Sequence, residues 1–126
     1  MKKDLDEIII TEKLSEPKLE RLIKKYPGKV NWDYISAYQR LSQSFIEKYK
    51  NKVNWELISS YQRISEKFLE KFKGRIQHWY YICRKRKLSP EFIIRNTDKI
   101  TKDIFENKHY ESYPDEIKML LRLKIK

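Results

Sequence analysis

The sequence predicts an all-α fold: short two-helix repeats of about 23 residues, stacked into one small array with capping segments at both ends. Three observations predict it. A 23-residue internal repeat runs through the middle of the chain, its apolar residues recur about a helical turn apart, and helix-start and helix-stop residues return in fixed columns. The reading is a single domain over residues 1–126, with an N-terminal cap (1–21), helical repeats (22–93) and a C-terminal cap (94–126).

The repeat is legible residue by residue. Lys29-Val30-Asn31-Trp32 returns as Lys52-Val53-Asn54-Trp55, Tyr38-Gln39-Arg40 as Tyr61-Gln62-Arg63, and Phe45-Ile46-Glu47-Lys48-Tyr49 as Phe68-Leu69-Glu70-Lys71-Phe72. A third copy begins at Arg75-Ile76 with one inserted residue, so that Trp79 falls 24 after Trp55. Leu22 to Tyr26 matches the second half of the unit.

Helix A of each unit starts at Asn31 or Asn54, good N-caps followed by an acid (Asp33, Glu56) suited to the positive helix end. Its apolar stripe is expected to be Trp32, Ile35, Tyr38 and Leu41, which places the Trp and Tyr columns in the core. Helix B starts at Ser42, Ser65 and Ser89, the last followed by Pro90 and Glu91. Gly28, Asn51 and Gly74 form a stop column of residues that tolerate the left-handed conformation ending a helix. Helices of 8–10 residues are expected, roughly 13 Å long and too short to be stable unless stacked. In the caps, Ser15-Glu16-Pro17 and Pro114-Asp115-Glu116 are helix starts. The alternating tail 121–126 and Ile8–Ile10 are the candidates for a minor terminal β pairing.

Charge then gives the repeat a functional direction. The chain carries 29 Lys+Arg against 18 Asp+Glu, a net +11. Residues 28–90 hold +9 of it, and no acid lies between Glu70 and Glu91. Three positions per unit stay basic: Lys25, Lys48 and Lys71; Lys29, Lys52 and Arg75; Arg40, Arg63 and Lys87. In a stacked array each column becomes a stripe suited to a polyanion backbone. With Lys73 and the run Arg84-Lys85-Arg86-Lys87, these are the expected contacts to nucleic acid or another partner. The run breaks the unit's own rule, since Lys85 stands where Tyr38 and Tyr61 stand, a position expected to be packed.

The unit V-N-W-x-x-I-S-x-Y-Q-x-(L/I)-S-x-x-F-(I/L)-E-K-(Y/F), over about residues 22–93, resembles a short tandem repeat of uncharacterised giant-virus and bacteriophage proteins. The resemblance implies an all-helical repeat and a viral or phage origin, hence a place in the host cytoplasm. It supplies no site residues.

Other classes are weaker. No apolar run approaches the ~18 residues needed to span a bilayer, and the N-terminus turns acidic where a signal peptide would turn apolar. An intracellular protein is the expectation. His78 and His109 sit in no metal-ligand spacing, and Cys83, the one cysteine, aligns with Ser36 and Ser59 as a packing residue. Glu47 and Glu70 recur where helix carboxylates pair with lysines. No catalytic residue, metal or cofactor is therefore expected. The functional expectation is a small non-enzymatic binder of nucleic acid or a nucleoprotein, extending in a phage setting to an inhibitor of a host defence nuclease in the manner of anti-CRISPR proteins. The alternative is a protein–protein module whose repeat surface docks an acidic protein.

Overall fold

The computed structural model describes residues 3–125 and is all-helical, with no strand among them. Met1, Lys2 and Lys126, which fall in the predicted terminal segments, lie outside the described residues. The chain divides into two compact units, Met1–Ile64 and Ser65–Lys126. The first holds α1 (Leu5–Thr11), α2 (Glu16–Lys25), α3 (Trp32–Tyr38), α4 (Gln43–Lys48) and α5 (Trp55–Tyr61). The second holds α6 (Glu66–Phe72), α7 (Tyr80–Lys85), α8 (Pro90–Arg95), α9 (Asp115–Lys124) and 3₁₀ turns at Lys73–Arg75, Thr97–Lys99, Lys102–Glu106 and Tyr110–Ser112.

The cap columns explain where the helices start. Asn31 and Asn54 accept backbone N–H groups of their own first turns, from Tyr34 and from Glu56 and Leu57. Ser15, Ser42, Ser65 and Ser89 do the same for helix B, each taking the N–H three residues on. Repeat helices run only six or seven residues, shorter than the sequence suggested. Alone they would melt. Packing holds them: Ile35, Phe45, Ile46, Ile58, Phe68, Leu69, Ile82, Phe92 and Ile93 are buried, each contributing about 1.5–3 kcal/mol on full burial.

The left-handed stop holds at one member of its column. Gly28 has φ +75°, whereas no other described residue has positive φ. At Asn51 the chain leaves through a turn closed by Lys52 N–H and Val53 N–H on the Tyr49 carbonyl. At Gly74 the helix tightens into the Lys73–Arg75 3₁₀ turn, with Ile76 N–H on the Lys73 carbonyl. The terminal β pairing is also overturned. Residues 8–10 lie in α1 and 121–124 in α9, because each segment buries one helical stripe: Ile9 in α1, Ile117 and Leu121 in α9.

The helix-A stripe differs from the predicted one in an instructive way. Its buried positions are Ile35 and Ser36 of α3 with the C-cap Gln39, and Trp55, Ile58 and Ser59 of α5 with the C-cap Gln62, while Tyr38 and Tyr61 are 58% and 61% exposed. Trp55 and Trp79 are buried as expected, and Trp32 is half-buried against Tyr49. The true stripe follows the i, i+3, i+4, i+7 rule, but two of its four members are polar. The serine bonds within its own helix (Ser59 to the Trp55 carbonyl) or accepts from the next copy (Ser36 from the Asn54 N–H), and the glutamine finds its partners on the preceding copy.

The glutamine's partners form the joint between copies. Gln39 Nε2 donates to the carbonyls of Ile9 and Glu12, and its Oε1 accepts the Leu14 N–H. Gln62 does the same one copy later, to the carbonyls of Ser36 and Gln39 and the N–H of Leu41. In both cases the three partners are spaced three and then two residues apart, so α1 is a helix A and the N-terminal segment is a full repeat. A second joint lies at helix B: the Glu16 carboxylate takes the N–H and hydroxyl of Ser42 at 2.6 and 2.9 Å, and Glu66 takes those of Ser89 at 2.6 Å each. In the second unit Asn107 replaces the glutamine, its Nδ2 donating to the carbonyls of Cys83 and Arg86, and the Leu88 N–H goes to the Tyr113 hydroxyl.

Candidate nucleic-acid interface

The joint fixes the place of one basic column. Each helix A ends in an extended C-cap, Glu12, Gln39, Gln62, Arg86 or Asn107. The residue that follows is Lys13, Arg40, Arg63, Lys87 or Lys108, basic and exposed in all five. None of the five has a carboxylate partner among the described residues. Sequence comparison found the Arg40, Arg63 and Lys87 members. Lys13 and Lys108 were missed because the spacing changes at both ends of the repeat, and only the hydrogen-bond pattern restores the register. A cation just past a helix C-terminus also gains about 0.3–1 kcal/mol from the macrodipole, so each member has a local reason to be basic as well.

The other columns are placed differently. Lys29 and Lys52 are exposed just before the N-caps of α3 and α5. A seven-residue helix, about 10 Å long, separates them from Arg40 and Arg63 at the opposite end. Lys48 is committed to Glu20 at 2.8 Å, which raises the lysine pKa and lowers that of the carboxylate. Lys71 is exposed and lies over the Phe72 ring, and Arg75 is exposed. Lys73 donates to Asn96 Oδ1 at 2.7 Å and pairs with Glu70 at 3.5 Å.

The run Arg84–Lys87 is taken apart by the fold. Arg84 is clamped by Asp103 at 2.6 Å and Glu106 at 3.2 Å, both from the Lys102–Glu106 turn, which raises its pKa. Arg86 is half-buried in the glutamine column, and desolvation pushes its pKa down. Lys85 and Lys87 are exposed and have no carboxylate partner among the described residues. The acid-free stretch of sequence is therefore neutralised in part by acids some twenty residues downstream. Lys85 does occupy the tyrosine position, but that position is exposed, so the substitution exchanges surface for surface.

In the first unit the basic column borders concave surface. A groove of about 680 Å³ is lined by Tyr38, Arg40, Tyr61 and Arg63, together with Ala37, Gln39, Leu41, Gln62, Ser42 and Glu16. A second hollow of about 500 Å³ adjoins it, lined by Lys13, Leu14, Ser15 and Glu16 and sharing Tyr38, Gln39 and Arg40. Tyr38 is also a wall of a third hollow, about 270 Å³, with Asp33, Tyr34, Leu57 and Tyr61. The Tyr34 ring meets Tyr38 edge-on at 6.1 Å. Glu16 is the groove's acid, and its two oxygens are occupied by Ser42.

Cys83 is fully buried, and burial raises its thiol pKa, which is the state of a packing residue rather than a nucleophile. Among the described residues no group of His, Cys, Asp and Glu is placed to hold a metal ion, and no helix is long and apolar enough to cross a membrane. No protein-family profile, curated protein or solved structure matches the chain.

Proposed function

We propose that the protein is a non-enzymatic binder of nucleic acid, gripping phosphates with the basic residues that follow each helix A. One observation carries the reading: Lys13, Arg40 and Arg63 share one register on the first unit, exposed and without carboxylate partners among the described residues, along a concave edge. Neighbouring helices pack about 8–10 Å apart, a spacing short enough for successive cations to meet phosphates of one strand. In the viral or phage setting that the repeat resembles, the nucleic acid would be one handled by a host defence nuclease, guide RNA included.

The test is a mobility-shift titration across a salt series. Each lost phosphate contact reduces the slope of log K against log salt by about 0.7–0.9. The Arg40→Ala/Arg63→Ala double variant is expected to flatten the slope by about 1.4–1.8 with an unchanged thermal melt. Equal affinity for variant and wild type at every salt concentration would sink the reading.

A second reading, docking onto an acidic protein surface, is favoured by the same groove, because exposed Tyr and Arg are the residue types that dominate interface hot spots. It predicts no nucleic-acid shift near physiological salt and a saturable complex with a protein partner, weakened by the same double variant.

A further inference from the structure

We infer that the first unit takes single-stranded rather than duplex nucleic acid, without reading its sequence, the bases stacking on Tyr38 and Tyr61 while Lys13, Arg40 and Arg63 hold the phosphates. This rests on the nucleic-acid reading above and specifies its substrate class.

The tyrosines carry the inference. A surface tyrosine on a seven-residue helix has every opportunity to lie down on apolar neighbours, yet Tyr38 and Tyr61 are more than half exposed at the rim of one groove. Tyr34 holds Tyr38 in a T-shaped pair, ring planes 67° apart, rather than stacking flat on it. Each ring is separated from its cation by a single residue, Gln39 or Gln62. That order, aromatic then cation, repeated on adjacent helices, is the arrangement of a stacking platform with a backbone rail. Duplex DNA would use the rail alone, since its base faces are already stacked.

The glutamines explain the lack of sequence readout. Gln39 and Gln62 line the groove and are residue types that read adenine edges. Both are buried, however, and each amide already donates twice and accepts once within the fold. They are spent on the joint between copies. Stacking on an exposed tyrosine ring is tolerant of any base.

The experiment is fluorescence anisotropy at low salt, with a labelled 16-nucleotide oligo-dT and a 16-base-pair duplex as probes. Wild type is expected to bind oligo-dT more tightly than duplex. Tyr38→Ala/Tyr61→Ala should weaken oligo-dT binding by about 10-fold or more and leave the duplex within 2-fold. Tyr38→Phe/Tyr61→Phe should keep oligo-dT binding, since the ring is retained. Because both side chains are exposed, thermal melts of the variants should match wild type. If oligo-dT binding is indifferent to the alanine pair, or duplex binds as tightly as the single strand, the inference is wrong, while the nucleic-acid reading survives through its salt slope. If wild type binds neither probe, that reading fails, and this inference with it.

Discussion

The two units use one joint and present different surfaces with it. In the first, Gln39 and Gln62 tie each helix A to the one before, and the flanking residues are Tyr38 and Arg40, Tyr61 and Arg63. In the second, Asn107 ties the Lys102–Glu106 turn to α7. The flanking residues there are Lys85 and Lys87, then Glu106 and Lys108. The exposed rings are gone from that register, and the nearby arginine, Arg84, is held by two carboxylates. The buried amide is thus a scaffold element, and the residues on either side of it are free to vary. Surface chemistry at this edge can change from copy to copy without altering how the copies stack.

If the amide is the scaffold, removing it should do the most damage. Gln39→Ala leaves the Leu14 N–H and the carbonyls of Ile9 and Glu12 without their side-chain partner. Buried groups stripped of partners cost about 1–3 kcal/mol each, and some will reach water, so a loss of about 2–4 kcal/mol is expected in urea melts. Asn107→Ala strips the carbonyls of Cys83 and Arg86 and the N–H of His109, while the Leu88 N–H keeps the Tyr113 hydroxyl. Its cost should be comparable or somewhat smaller. A surface-like cost for either, under about 0.5 kcal/mol, would break the equivalence of the two joints.

The next effect concerns charge. Asp103→Asn with Glu106→Gln removes both carboxylates from Arg84. The second unit then gains an uncommitted guanidinium three residues before Lys87. The salt slope for nucleic acid should steepen by about 1 and affinity at low salt should rise several-fold. A weaker shift than wild type would show that the clamp, rather than its release, serves binding.

How much of this was legible in the sequence follows from which contacts are local. The N-caps at Asn31, Asn54, Ser42 and Ser89 act within one turn, and the residue types alone located them. The all-helical class and the Arg40, Arg63 and Lys87 column came from periodicity. The joint did not, because Gln39 reaches 30 residues back to Ile9 and a hydrophobic pattern counts a buried glutamine as surface. That one omission turned Tyr38 and Tyr61 inward in the predicted stripe. It also hid the helix-A register of residues 5–12, where Gln39 anchors. The neutralisation of Arg84 was hidden for the same reason: Asp103 lies 19 residues away.

Acid should separate the units more gently. Asp103 is held below the usual carboxylate range by the Thr101 hydroxyl and then by Arg84, and Glu70 by the Asn96 amide and then by Lys73 and Arg95. A carboxylate whose folded pKa is depressed contributes stability above its unfolded pKa and loses it as pH falls through the folded value. Stability should therefore decline from about pH 4.5 downward, where unfolded carboxylates begin to take up protons. In the first unit Glu20, held down by Lys48, works in the same direction. Glu70→Gln should shallow the acid limb of stability against pH, read from urea midpoints between about pH 3 and pH 6. An acid limb unchanged from wild type would remove the assigned cause.

The finest comparison is between two tryptophans at the same place in the repeat. Trp55 Nε1–H donates to the Lys50 carbonyl at 2.9 Å, whereas Trp79 Nε1–H is buried with no acceptor among the described residues. The chain before Trp79 passes through the Lys73–Arg75 3₁₀ turn, so the carbonyl that Trp55 finds five residues back is not presented in the same position. Replacing either indole by phenylalanine costs similar packing volume. Only at Trp55 does it also strand a carbonyl, and only at Trp79 does it remove an unsatisfied donor. Trp55→Phe should therefore be more destabilising than Trp79→Phe by about 1 kcal/mol or somewhat more, read as the difference between two urea midpoints at equal m. The reverse order would mean that the buried indole N–H of Trp79 is satisfied in solution.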